Sequence, residues 1–347
     1  MSSHSGPRVP RPPLAVLKAF GLHILVPLFL CAGMALAYLG AFHEPAPHHL
    51  KVAVVGASLQ AGVLAQALND SAPEEMDVRT VPDTASAKRL ISERTISVAY
   101  EAGSEATLFV STAVSGTTAT IAQKIFLPIA YQEHLPLKVE DVVPAGKHDP
   151  SGQGLFFLLV ALSIGGYASA IAIAAVAGRL HVLWQLALAA VTSAVVAGIG
   201  VIVAGPIYQV IDHALWATWL MAWLYCAAIM FIGVGLHPVL RQWTTPILTL
   251  LFVMLNFTSS GGIYTADFVP PFFAALGSFW NGAAWIHAVQ TVTYFPGQEY
   301  WSDLVTLGVW AAGGVLLVFL THWWSIRGSR VADEQVPVRE EEEVIAA

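Results

Sequence analysis

Asn256, the run Thr258-Ser259-Ser260-Gly261-Gly262 and then Asp267 place a carboxamide, three hydroxyls and a carboxylate at the end of a long apolar stretch. These side chains donate and accept hydrogen bonds, but their spacing offers no nucleophile with an adjacent base. The chemistry open to them is holding or passing a polar group. In lipid such a run must satisfy its hydroxyls and freed backbone groups inside protein or against a wet cavity. Gly261 and Gly262 permit the sharp reversal of a re-entrant hairpin. Read as function, Asn256, Thr258, Ser259, Ser260, Gly261 and Gly262 form the outer lip of a translocation or dimer-interface path, with Asp267 helping to hold it. Read as structure, they are a helix stop at the membrane interface.

The remaining candidates are weaker. His43, Glu44, His48 and His49 have metal-ligand side chains, yet adjacent histidines rarely converge on one ion, and Pro45 and Pro47 keep the link extended. Asp212-His213 and His287 are protonatable groups of the kind used in membrane relays, but each is placed near water, where an ordinary loop residue also fits. The only Gly-Lys pair, Gly146-Lys147, has no glycine at the spacing of a phosphate-binding loop. Gly56-Ala57-Ser58 lacks the second glycine of a nucleophile elbow. No catalytic set, cofactor or metal site is predicted, and the chain does not read as an enzyme.

The elements that position these residues follow from charge. The chain is 11% charged and 56% hydrophobic, against about a quarter charged in soluble domains. Between 151 and 325 the charged residues are Arg179, Asp212, Arg241, Asp267, Glu299 and Asp303, separated by long apolar runs. Short loops rich in Lys or Arg stay inside. If Arg179 and Arg241 face the cytoplasm, every acid in the series falls outside, and Arg327 and Arg330 return to the inside. Spans are predicted at 19–42, about 153–177, 183–206, 214–236, 244–257 and 304–324. A cleaved signal peptide ending near Ala35-Leu36-Ala37 is the alternative to the first, but its apolar run exceeds the usual ~7–15 residues. Two crossings need about 40 residues, more than the stretch between Asp267 and Glu299 provides. The segment near 258–300 is therefore predicted to stay on the outer face as short re-entrant or interfacial helices. Both termini are then cytoplasmic: residues 1–18 as a disordered positive arm and 326–347 as an acidic disordered tail.

Residues 43–150 change character. Short apolar runs at 52–55, 76–81, 97–100 and 107–112 alternate with helical spacing at 58–69, 85–94 and 115–132, with a possible last strand at 138–143. This predicts a small extracytoplasmic α/β domain. Cys31 and Cys226 both lie in apolar spans, so this domain has no disulfide and must be held by its own core. The fold class is a polytopic α-helical membrane protein of six transmembrane helices, with the α/β domain between helices one and two. Small residues such as Gly165, Gly166, Ala189 and Ala190 predict close packing of the second and third spans. Trp216, Trp219 and Trp223 share one helical face, and with Trp280, Trp285 and Trp301 they read as an interfacial belt or, alternatively, an amphiphile-binding wall.

Ser259-Ser260-Gly261-Gly262, Val269-Pro270-Pro271-Phe272-Phe273 and Tyr294-Phe295-Pro296-Gly297 carry a resemblance, supported by Ile164-Gly165-Gly166-Tyr167 and Ala204-Gly205-Pro206. With the span layout, they resemble the phage-infection-protein-like (YhgE/Pip) membrane proteins, related in layout to type-2 ABC exporter permeases. The resemblance implies movement of amphiphilic or polymeric substrates, or surface and secretion machinery, in a bacterial plasma membrane. The exporters usually carry a charged cytoplasmic elbow for their ATPase, whereas the link here is Gly178-Arg179-Leu180-His181-Val182. The expected function is permease-like export of an amphiphilic or cell-envelope substrate. The alternative is a surface receptor or secretion scaffold acting through the outer domain. Expected partners are the lipid bilayer, a second copy as a homodimer, and, if transport uses ATP, a separate ATPase subunit. No basic patch with interleaved aromatics occurs, so nucleic acid is not expected.

Overall fold

The computed structural model describes residues 14–177 and 180–345. Residues 1–13 of the predicted arm, and Arg179 with its bearing on the inside assignment, lie outside the described residues. The protein is mostly helical, with one small sheet.

In the sheet, β1 (Leu50–Val55) lies between β2 (Met76–Val81) and β3 (Val98–Ala102), parallel to both. β4 (Ala106–Val110) runs antiparallel to β3, and β5 (Leu137–Asp141) parallel to β4, giving the order β2-β1-β3-β4-β5. β1 is apolar on both sides because both sides are covered. Leu50, Val52 and Val54 meet α2 (Leu59–Ser71) and α4 (Thr112–Gln132), whereas Ala53 and Val55 meet α3 (Thr84–Ser92). Tyr100 and Phe126 stack in the first of these layers with ring centroids 5.3 Å apart. Ser58 and Asp83 cap α2 and α3 by accepting from Ala61 N (3.2 Å) and Ser86 N (2.7 Å).

Among the described residues, five helical runs are long and apolar enough to cross a membrane: Ile24–Phe42, Gly154–Val176, Val182–Ile207, Leu215–Ser259 and Trp301–Trp324. They belong to α1 (Leu14–Phe42), α5 (Gly154–Ala177), α6 (Val182–Ile202, with a π-helical end to Ile207), a bent fourth run, and α12 (Trp301–Ile345). The fourth run comprises α7 (Leu215–Leu240), a 3₁₀ turn, α8 (Thr244–Thr249), a π-helical stretch (Leu250–Leu255) and α9 (Asn256–Ser259). It folds back at Arg241, whose φ is +50°. Residues about equally far on either side of that bend meet, with Asn256 Nδ2 2.7 Å from Tyr225 Oη. The two spans predicted at 214–236 and 244–257 are thus the arms of one bent run. α7 is the centre of the bundle, packed against α5, α6 and α12.

The returning arm, 244–259, rises only about 24 Å at 1.5 Å per residue, less than a hydrocarbon core of about 30 Å. The chain then makes two short helices, α10 (Pro271–Gly277) and α11 (Asn281–Tyr294), before α12. α12 continues in backbone to Ile345, so the segment predicted as a disordered tail is helical through that residue. Extending an existing helix needs no new nucleus, and glutamates are good helix formers.

The sheet domain and the 258–300 segment are packed as one body. Phe268 is fully buried in the core formed by β1, α2 and α4. Ser115 Oγ donates to Ile263 O (2.6 Å), Gln290 Nε2 to Val114 O (2.9 Å) and Arg94 Nη2 to Thr291 Oγ1 (2.8 Å). Asp303 acts on Arg94, and Asp212 and Asp149 on Tyr294, so these acids gather at the end of the bundle that carries the sheet. Arg241 is a full α7 length away, about 39 Å.

Candidate functional site

The returning arm carries its polar residues in two layers. In the deeper layer, Asn256 is fully buried and its Nδ2 donates to Tyr225 Oη (2.7 Å), with Ser163 Oγ at 3.4 Å. Ser163 and Tyr225 are themselves hydrogen-bonded at 2.5 Å. Three elements, α5, α7 and α9, are tied together at this point. Asn256 Oδ1 and both carboxamide atoms of the fully buried Asn281 have no hydrogen-bond partner among the described residues. A Cβ on Gly282 would overlap the Asn256 carboxamide, so only glycine lets α11 cross over α9 there. Trp285 completes the layer, its ring 5.9 Å from that of Tyr225.

The upper layer is the serine–glycine turn. Thr258 Oγ1 donates to Met254 O (2.9 Å), Ser259 Oγ to Leu255 O (2.7 Å) and Ser260 Oγ to Phe257 O (3.1 Å). These hydroxyls turn back on their own helix, which satisfies them without water. Gly261 has φ +74°, where a side chain is strained, and Gly262 lies against Phe156, with room for no Cβ. Beyond the turn is a cavity of about 410 Å³ lined by Ser259, Ser260, Gly261, Trp280, Ala284 and His287, among others. That volume suits a small ligand.

The residues expected to form one lip are therefore divided among three places. Asn256 and Thr258 are inside the helix packing, and Ser259 to Gly261 border the cavity. Asp267 sits at the seam with the sheet domain, accepting from Ser97 Oγ at 2.5 Å while its carbonyl accepts from His48 N at 2.7 Å. Burial pushes its carboxyl above the ordinary range, with Ser97 and Lys51 pulling the other way. Asp267 ties the sheet domain to the 258–300 segment through Ser97 and His48 rather than bonding to the serine turn.

His287 is a helical residue of α11, where the sequence allowed an ordinary loop position, and its Nδ1 lies 2.6 Å from Asp303 Oδ2 on α12. Asp212 and His213 pair with each other on the surface. Of the predicted aromatic belt, Trp219 and Trp223 donate to the α6 carbonyls of Ala194 (3.2 Å) and Ala190 (2.9 Å), and Trp285 is a core residue. Trp216 and Trp301 are exposed.

Sequence reasoning missed Ser163, Tyr225 and Gln290. The first two had a readable signal: isolated hydroxyls within apolar runs usually bond across helices. The arrangement holds polar groups inside a bundle beneath a cavity whose wall includes Ser259, Ser260 and the His287–Asp303 pair. Comparison with protein-family models, curated proteins and solved structures finds no match.

Proposed function

We propose that this is a permease-like protein of a bacterial plasma membrane, with six crossings and both termini cytoplasmic, that exports an amphiphilic or cell-envelope substrate. Six crossings count the two arms of the bent run separately. The clustering of acids at the sheet-bearing end, with Arg241 at the other, supports an outer sheet domain. The observation that carries the export reading is the cavity beneath the sheet domain. Its wall includes Ser259 and Trp280, and near them in the chain are buried Asn256 and Asn281, whose unbonded carboxamide atoms are costly in an apolar bundle. The resemblance of the 254–310 motifs to the YhgE/Pip proteins agrees with this reading. Two copies, or this chain with a partner, enclose the path. ATP, if used, is hydrolysed by a separate subunit.

The test is a Gly261→Val variant. A Cβ there meets nothing within 4 Å, but valine is forced to φ +74°, so the expected effect is a distorted turn in a chain that still inserts. Loss of export of a tracked amphiphile, with normal membrane levels, is the expected outcome. Normal export overturns the reading.

A second reading, a receptor or secretion scaffold, is favoured by one observation. Leu59, Val63, Leu127 and Tyr131 are exposed on the two helices that share one side of the sheet, an apolar surface of the kind that meets a partner. Under this reading Gly261→Val leaves function intact.

A further inference from the structure

Arg94 follows the end of α3 in a left-handed backbone conformation, φ +55°. Helices commonly end with glycine at that position. An arginine kept in a conformation suited to glycine points to a use for its side chain. Its guanidinium lies against the Phe295 ring, 4.0 Å from the centroid, and only Nη2 is engaged, on Thr291. Nε and Nη1 are buried without a hydrogen-bond partner among the described residues. Burial lowers its pKa to about 10, with the Asp303 charge opposing, so the group is cationic at neutral pH.

Arg94 lines a cavity of about 300 Å³ at the seam, together with Lys51, Ser97, Thr118, Asp267 and His287. Val114, Thr265, Ala266 and His287 form walls of both this cavity and the 410 Å³ one. The two nearby carboxylates are already engaged, Asp267 by Ser97 and Asp303 by His287. Asp267 and Asp303 keep further acceptor sites, whereas Arg94 Nε and Nη1 are the unpaired cationic donors at the seam, in a residue that lines this cavity beside the larger one. A buried guanidinium is stabilised by oxyanions above all other partners.

We propose that this seam binds an anionic amphiphile, its phosphate or carboxylate oxygens accepting from Arg94 Nε and Nη1 with Lys51 nearby, and its apolar part lying between Val269, Trp280, Ala284 and Ile286. The assignment rests on the export reading for its purpose, not for whether binding occurs. It also explains why the outer segment and the sheet domain are joined here, since the site needs side chains from both.

Binding is measured on the full-length protein purified in a neutral maltoside detergent, with dodecyl phosphate, inorganic phosphate and dodecanol as probes. Saturable binding of dodecyl phosphate is expected, with the other two at least tenfold weaker. Arg94→Gly fits the backbone without strain, and once its folding is checked by thermal unfolding it is expected to weaken dodecyl phosphate about ten- to a hundredfold, the range for hydrogen bonds to a charged group. Ala283→Phe, which intrudes into the larger cavity, is expected to weaken dodecyl phosphate while leaving Arg94 in place. Absence of saturable binding in the native protein, or unchanged affinity in both variants, overturns the site. Inorganic phosphate competing at the same concentration as dodecyl phosphate overturns the amphiphile class. Absence of Arg94-dependent binding in a protein that still exports sinks this site and leaves the proposed function standing. Arg94-dependent binding by a protein that exports nothing does the reverse.

Discussion

Asn256 illustrates how one polar side chain orders a bundle in which water does not drive helices together. Its Nδ2 reaches Tyr225, and Tyr225 in turn shares a hydrogen bond with Ser163. Removing Asn256 leaves the Ser163–Tyr225 pair intact, whereas Tyr225→Phe breaks both contacts. In a double-mutant cycle, Asn256→Ala and Tyr225→Phe should therefore be non-additive by about 0.5–1.5 kcal/mol, the range found for hydrogen bonds between membrane helices. Reversible unfolding in mixed micelles measures this, and strict additivity would mean that the contact carries no energy. At this scale the sequence was only partly informative. It marked Asn256 and the serine–glycine run, because polar residues stand out at the end of an apolar stretch. It left Arg94 as the last residue of a predicted helix, because nothing local says that an arginine takes a left-handed turn or that its guanidinium is enclosed. Both facts depend on Phe295 and Thr291, about two hundred residues away.

Elements, by contrast, were largely legible wherever their periodicity was clean. The strand expected at 76–81 is found at Met76–Val81, and the helix expected at 85–94 at Thr84–Ser92. The helix expected from Ser115 does break there: Ser115 leaves the helical conformation and caps the longer segment by accepting from Thr118 N at 3.1 Å. What periodicity does not show is where two elements touch. The crossing of α11 over α9 depends on Gly282, which in sequence looks like any helix-start glycine. Gly282→Ala pushes a methyl into the Asn256 carboxamide, an overpacking expected to cost about 1–3 kcal/mol. Gly308→Ala on α12 is the control, since a Cβ there meets nothing within 4 Å and alanine favours the helix by roughly 0.5–1 kcal/mol. Thermal unfolding in detergent should lower the first and leave or raise the second. Equal shifts would mean that the crossing is looser than the packing implies.

For the whole molecule, the proposed orientation rests on the signs of a few charges, and a buried phenylalanine is among the side chains that join its halves. Glu299 and Gln242 are both exposed and lie at opposite ends of the bundle. In a chain with Cys31 and Cys226 replaced by alanine, Glu299→Cys should react with an impermeant thiol reagent on intact cells and Gln242→Cys only after lysis. Labelling of both from outside would overturn the topology. The phenylalanine is Phe268. It reaches out of the 258–300 segment into the core of the sheet domain, where it is fully buried. The sequence suggested a separable domain over 43–150, bounded by composition, yet that stretch lacks a side chain its own core uses. Truncating a buried phenylalanine typically costs about 3–5 kcal/mol. Because Ser97, Asp267 and Ser115 bond across the same seam, the loss is not confined to one side. Phe268→Ala is expected to speed protease cleavage within 43–150 even though the substitution lies outside it. Cleavage at the native rate would mean that the sheet domain is an independent module hinged on the bundle. Faster cleavage means that anything binding between the two halves is felt by both, which is the coupling an outer gate requires.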